Sequence, residues 1–203
     1  MATRGFTGRR PAAATANRLP PGQYLTDDFP VLAKGPTPRI DMARWRFELF
    51  DGPRPLAGWS WHDFQQLPRT RWQGDIHCVT KWSKFDTLWE GVGIDDLLAA
   101  AGLPAPPTPW VLALGFDDYD TNVPMADLAG GRAMVATHFD GRPLEPAHGG
   151  PARLLVPHLY FWKSAKWLRG LRFTQRDEAG FWELRGYHMH GDPWKQQRFS
   201  DDE

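Results

Sequence analysis

Asp75-Ile76-His77-Cys78-Val79-Thr80-Lys81-Trp82-Ser83 holds the only cysteine in a chain of 203 residues. One thiol cannot make an internal disulfide, and it cannot supply the several sulfurs of a structural zinc or iron–sulfur site. Two readings stay open. Cys78 is either a small buried hydrophobe or a single thiolate for a soft metal whose other ligands come with a cofactor. Thr70 to Val79 alternates loosely and predicts an extended segment that delivers Cys78 near a strand end, on rigid support beside a cleft. His77 is its neighbour, but on a strand its side chain points to the opposite face, so it is not assigned to a metal.

Upstream, Trp45, Phe47 and Leu49 alternate with Arg46 and Glu48, which predicts a half-buried strand over 44–50. Asp51-Gly52-Pro53 turns it, and Ser60-Trp61-His62-Asp63 offers a capping-box-like start to a short helix that Pro68 stops. Downstream, Ile94 to Ala101 carries Leu97, Leu98 and Ala101 on one helical face, with Gly102 as its stop and Pro104 beyond. Val111-Leu112-Ala113-Leu114 has the length and continuity of a buried strand. Ala133 to Phe139 is another, turned at Asp140-Gly141 into Arg142-Pro143-Leu144, and Leu168 to Phe173 is a further one. Eleven Trp, nineteen Pro and twenty Gly imply short elements, tight turns and aromatic plugs, which excludes a helical bundle.

Twenty-four Lys and Arg balance twenty-four Asp and Glu, so there is no net field to favour nucleic acid or an anionic membrane surface. No stretch approaches the apolar length of a membrane span. Residues 1–18 read as a flexible tail, 19–194 as one domain and 195–203 as a C-terminal tail that frays. Arg9-Arg10 invites an export reading, but no apolar core of signal length follows it, and a lone thiol suits a reducing compartment. The expectation is a cytoplasmic protein.

Several residues stand out for chemistry. Arg153 heads the apolar run Leu154-Leu155-Val156, so it must point outward or be paired, by a carboxylate or by a bound phosphate. His148-Gly149-Gly150-Pro151 lets backbone approach a ligand closely. Ser164-Ala165-Lys166 offers hydroxyl, ammonium and backbone N–H groups in a turn between apolar flanks, a form of anion nest. His188 and His190 share a face if that aromatic, turn-rich end is extended, which permits a two-histidine metal site or a polar rim. Phe29-Pro30-Val31-Leu32 is the one apolar cluster of a Pro/Gly-rich arm over 19–39.

Taken in order, Cys78, Trp89-Glu90-Gly91-Val92, Tyr119 with Pro124, His148-Gly149-Gly150-Pro151-Ala152-Arg153 and Ser164-Ala165-Lys166-Trp167 resemble the landmarks of sulfite oxidase-like molybdopterin-binding oxidoreductases, from about Pro20 to Trp194. The resemblance implies an α+β, mixed, strand-rich fold with a few short helices, and a molybdenum-molybdopterin cofactor with Cys78 as metal ligand. It implies cofactor contacts from Leu32, Lys34, His148, Arg153, Ser164 and Lys166, with the arm lying against the pterin. Tyr119 and Lys81 are expected nearest the substrate, together with Cys78 as the catalytic set. The implied activity is two-electron oxygen-atom transfer on a small sulfur- or nitrogen-oxide-type substrate, with electrons exchanged through a separate carrier because no haem motif is present. Leu32-Ala33-Lys34 stands where animal and plant sulfite oxidases have Arg-Asn-His. The arginine-rich run that follows the cysteine there is missing, while Trp82-Ser83 is closer to the bacterial methionine-sulfoxide reductases. The alternative is a non-catalytic molybdopterin-binding or protein-interaction module.

Overall fold

The computed structural model describes residues 17–103 and 107–203. Arg9-Arg10 and Pro104 lie outside them. Alternation in Arg46–Asp51 (β2) buries Phe47 and Leu49, and β2 is the second strand of a five-stranded sheet. Its order is Arg54–Ser60 (β3), β2, Leu168–Thr174 (β11), Trp110–Gly115 (β6) and Asp120–Pro124 (β7). The second sheet runs Tyr24–Leu25 (β1), Trp82–Gly93 (β5), Met134–Phe139 (β8) and Arg153–Leu155 (β10), with Thr70–His77 (β4) on β5 and Arg142–Pro143 (β9) on β8. The described helices Trp61–Gln65 (α1), Ile94–Ala100 (α2) and Met125–Leu128 (α3) are short. The outcome is the mixed, strand-rich fold with a few short helices that the resemblance implies.

Period two explains how the second sheet organises the molecule. On β8, Val135 joins a core shared with Phe47, Leu49, Val111, Leu171 and Phe173 of the first sheet, while Met134 and Ala136 join a separate cluster on the other face. Leu154 and Leu155 of β10 divide the same way. The sheet is therefore buried on both sides, and the second side gathers Cys78, Trp82, Trp89 and Phe161. The arm closes this side: Phe29 stacks on His148 at 4.1 Å between centroids and meets Phe139 at 4.9 Å. Phe29 thus pins the arm to the body, while Val31 and Leu32 of the same apolar cluster stay exposed.

Local signals hold where chemistry is local. Ser60 caps α1, its Oγ accepting from Asp63 N–H at 3.2 Å, and Ala101 and Gly102 end α2. Asp140 and Gly141 both take positive φ in the β8–β9 turn. The strands β5, β3 and β7 are not visible in the pattern. β5 carries a bulge opposite Asp75, where Asp86 adopts φ 56° and its N–H bonds the Asp75 carboxylate at 3.0 Å, so its alternation slips midway. Gly91 on β5 lets β8 cross closely, since a Cβ there would lie 2.1 Å from Val135 O.

The fraying expected from Lys195 onward is a correction. Gln197 and Arg198 are buried, Phe199 bridges Tyr187, and the Arg198 guanidinium bonds the Tyr160 hydroxyl and Pro21 O. Polar partners, invisible to hydropathy, hold this end down.

Candidate active site

The β4–β5 hairpin positions the thiol. Cys78 N–H donates to Trp82 O at 2.9 Å and Lys81 N–H donates to Cys78 O at 3.0 Å, with Lys81 at φ 75°. Gln23 of the arm donates to the same Cys78 carbonyl at 3.0 Å. The Cys78 side chain is 8% exposed and its Sγ accepts from Thr80 Oγ1 at 3.2 Å. Burial pushes the thiol up, while the Thr80 bonds and, more weakly, Arg153 draw it down. Cys78 is thus both packed and available, because it lines a cavity of about 290 Å³. His77 points the other way, bonded through Nδ1 to Ser83 Oγ at 2.8 Å.

Arg153 shares the Cys78 face of the sheet, as its position two residues before Leu155 requires. It is 1% exposed, and it neither points outward nor finds a carboxylate among the described residues. Nη1 donates to His148 O and Nη2 to Ser164 O, each at 2.7 Å, and the guanidinium lies over Phe161 at 4.0 Å. Its Nε has no partner among the described residues. Lys166 Nζ donates to Ala147 O at 2.7 Å, and burial, reinforced by Arg153, pulls it down to about 8 against the opposing pull of Asp117 on the same wall. Trp82 Nε1 on the wall is a second buried donor without a partner among the described residues. Three cations with no ion pair among the described residues, Lys34, Arg153 and Lys166, and two orphaned donors around one cavity call for an anionic, acceptor-rich occupant. A molybdopterin, with its phosphate and sulfur donors, fits that set.

Gly150 makes this construction possible. A Cβ there would lie 1.9 Å from Leu144 O, so only glycine lets the His148–Arg153 segment pass beneath Leu144. Ser164 Oγ accepts from Val156 N–H at 2.9 Å, which ties the Ser164–Lys166 turn to β10.

The structure brings together Cys78, Tyr119, Arg153, Ser164, Lys166 and the arm residues Leu32 and Lys34 on one cavity wall. Two expected residues are placed elsewhere. Lys81 is exposed on the hairpin and does not line the cavity, because its positive φ turns the chain outward. His148 stands behind the wall, its Nε2 against Phe29 O at 2.9 Å, and reaches Arg153 only through its own carbonyl. Tyr119 lines the cavity, but its hydroxyl donates to Trp162 O at 2.7 Å, and burial holds its ionisation well above the usual phenol range. His188 and His190 do not share an extended face. His188 Nδ1 accepts from the N–H groups of His190 and Gly191, and His190 Nε2 pairs with Asp127 at 2.9 Å. No metal-holding group of three such side chains occurs among the described residues.

Sequence reasoning missed Lys163 and Glu183, both fully buried and bonded at 2.6 Å. Lys163 Nζ also donates to Asn122 O, Asn122 Oδ1 and Met189 O, and Glu183 Oε1 accepts from Trp162 Nε1 and Thr121 Oγ1. This network fastens the C-terminal segment to the turn that carries Trp162 and Ser164. No local signal marks it, since a Lys and a Glu twenty residues apart look like surface charges.

Residues 34–182 match the profile described as the oxidoreductase molybdopterin binding domain, and the chain belongs to that family. It is a sulfite oxidase-like molybdopterin-dependent oxidoreductase, with the molybdenum-molybdopterin cofactor of that family. The chain is 41% identical to an uncharacterized oxidoreductase, YuiH, of Bacillus subtilis, over 97% of this chain and the whole of that one. It is 27% identical to a putative protein-methionine-sulfoxide reductase subunit, YedZ1, of Azospira oryzae, over 84% of this chain and 66% of that one. Human mitochondrial sulfite oxidase matches at 24% identity over 84% of this chain, which spans 38% of that protein. Among solved structures, the sulfane dehydrogenase SoxCD of Paracoccus pantotrophus shares the fold, with a TM-score of 0.60 over 69% of this chain and 40% of that one at 22% identity. No described helix is long and apolar enough to cross a membrane.

Proposed function

We propose that this protein transfers an oxygen atom to or from a small, neutral sulfur- or nitrogen-oxide-type substrate in the Cys78 cavity. When bound, the molybdopterin supplies a molybdenum centre that exchanges an oxygen atom and two electrons with a substrate lone pair. Cys78 is its thiolate ligand. Arg153, through its unpartnered Nε, Lys166 and the Ser164 turn hold the anionic cofactor, with Trp82 Nε1, Leu32 and Lys34 completing the wall. Reduction of an oxide in this way consumes two electrons and two protons and releases the reduced compound and water. A separate carrier delivers the electrons, and the lone thiol suits a cytoplasmic, reducing compartment.

The observation that carries this reading is one wall shared by a lone sulfur and three cations, Lys34, Arg153 and Lys166, without ion pairs among the described residues. The same observation favours a neutral substrate. Arg153 is spent on two carbonyls and on the cofactor's charge, Lys166 is bonded to Ala147 O and Lys34 lies over the Phe181 ring, so no free guanidinium remains among the described residues of this wall for a dianion such as sulfite. The Azospira relative, named for methionine sulfoxide, points the same way.

The test is molybdenum and pterin analysis of protein made in a molybdenum-cofactor-competent host, with a dye-linked reductase assay on sulfoxides and N-oxides. Cys78→Ala is expected to abolish turnover with the fold intact, and Arg153→Ala to lower pterin content several-fold. An active Cys78→Ala protein would remove the thiolate from the mechanism. Unchanged pterin in Arg153→Ala would remove the anion-holding role, and purified protein without molybdenum or pterin would favour the interaction-module alternative.

A further inference from the structure

Thr80 stands two residues past the lone cysteine, in the turn that joins β4 to β5, and lines the Cys78 cavity. Its Oγ1 donates to the Cys78 sulfur at 3.2 Å. The backbone N–H groups of Thr80 and Val79 also favour the charged form of that sulfur. Almost any residues in the turn would supply those two N–H groups, whereas the hydroxyl is there only because position 80 is threonine.

The turn is held from three directions. Within the hairpin, Lys81 N–H donates to Cys78 O at 3.0 Å and Cys78 N–H to Trp82 O at 2.9 Å. From the arm, Tyr24 N–H donates to Lys81 O at 2.8 Å and Gln23 Nε2 to Cys78 O at 3.0 Å. From the C-terminal segment, Arg198 bonds Pro21 O and the Tyr160 hydroxyl, and its Nη1 reaches Val79 O at 3.5 Å. A β-branched side chain on so fixed a backbone has few χ1 states, so little freedom is lost when its hydroxyl meets the sulfur. A thiolate that gives one lone pair to a metal keeps others, and a hydroxyl can donate to one of these. Such a donor draws electron density from the sulfur, and it is held most strongly when the centre is richest in electrons.

We infer that Thr80 tunes the reduction potential of the molybdenum that Cys78 would hold, through the hydrogen bond from its hydroxyl to the cysteine sulfur. The assignment rests on the reading of Cys78 as the thiolate ligand. The bond favours the reduced, more negative state of the centre and so raises its potential, which eases delivery of electrons by a carrier. A hydroxyl has one proton to donate, and here it is given to the sulfur. Thr80 therefore acts through Cys78 and not as a donor to the substrate.

The test compares wild-type holoenzyme with Thr80→Val, which keeps the branched shape and deletes the donor, and with Thr80→Ser, which keeps the donor. Molybdenum and pterin are measured in each, and the potential is read by redox titration of the molybdenum signal in electron paramagnetic resonance. The thiolate-to-molybdenum absorption band is recorded as well, with Cys78→Ala to identify it, and KM is taken with dimethyl sulfoxide in the dye-linked assay. In Thr80→Val the expected result is unchanged cofactor content and KM, with the band moved to lower energy. At the wild-type midpoint the ratio of oxidised to reduced metal rises about tenfold, roughly 59 mV for a one-electron step. Thr80→Ser is expected to return the potential and the band to wild type. An unchanged potential and band in Thr80→Val would overturn the assignment, as would a Thr80→Ser protein that behaved like Thr80→Val. A raised KM at unchanged potential would overturn it by making Thr80 a substrate contact, and loss of molybdenum or pterin by making it a support of the cofactor. Each of these leaves Cys78 as the ligand. A band that survived in Cys78→Ala would instead remove the ligand and the Thr80 assignment together.

Discussion

Glu183→Gln isolates the buried ion pair behind the active-site wall. Glu183 Oε1 receives three donors, Lys163 Nζ at 2.6 Å, Trp162 Nε1 at 2.8 Å and Thr121 Oγ1 at 2.9 Å, while Oε2 has no partner among the described residues. The amide preserves the shape but removes the charge, and its N–H₂ group falls where nothing accepts. Lys163 is then a fully buried ammonium facing only neutral oxygens, the new amide's own and those at Asn122 O, Asn122 Oδ1 and Met189 O. Breaking one side of such a pair costs about 3–5 kcal/mol, the larger part being the charge left behind. In a domain of this size about 3 kcal/mol lowers Tm by roughly 6–12 °C. Lys163→Met in the Glu183→Gln background removes the stranded charge, so the double variant is expected to recover about 2 kcal/mol or more relative to the sum of the single effects. Guanidinium unfolding of the four proteins forms the cycle. A Glu183→Gln protein within about 1 kcal/mol of wild type, or strictly additive single effects, would refute the pair's role in holding the C-terminal segment.

Other perturbations follow from the same contacts. Gly150→Ala is expected to cost about 3 kcal/mol as overpacking, because its Cβ would meet Leu144 O at 1.9 Å, and to reduce molybdenum content by displacing Arg153 from the cavity; denaturant titration with elemental analysis reads both. Asp127 accepts from His158 and His190, each at 2.9 Å, and from Arg132 at 3.1 Å. These bonds overcome burial and hold its carboxyl well below the usual range, while Asp127 raises His190. The raised imidazole stabilises the fold fully below its unfolded value of about 6.5, and that stability is lost as pH rises through its higher folded value. The depressed carboxyl contributes above about 3.9, and its share is lost as pH falls toward its lower folded value. Asp127→Asn is therefore expected to lower stability by about 1 kcal/mol near pH 6, after solvent screening of a half-exposed cluster, with the gap narrowing at alkaline pH. Thermal melts across pH check this, and a gap that widened with rising pH would contradict it.

The chain by itself determined much of the fold wherever a short-range rule applied. The alternation of Trp45, Phe47 and Leu49, the Ser60–Asp63 cap, the Gly102 stop and the Asp140-Gly141 turn each depend on residues within a few positions of one another. They are where the sequence places them. The ordered landmarks from Cys78 to Lys166 also marked the family and most of the cavity wall. Only the tertiary structure decided which expected residues face the cavity. It turns Lys81 outward through a positive φ, sets His148 behind Phe29, and gives the Tyr119 hydroxyl to a carbonyl forty-three residues away. It also joins Lys163 to Glu183, seats Arg198 on Tyr160, and brings Tyr187 back to the cavity of Cys78. The reason is physical. A buried polar group selects its partner by distance in space and by the cost of leaving a charge unmatched, and neither quantity exists along the chain until the two sheets have closed.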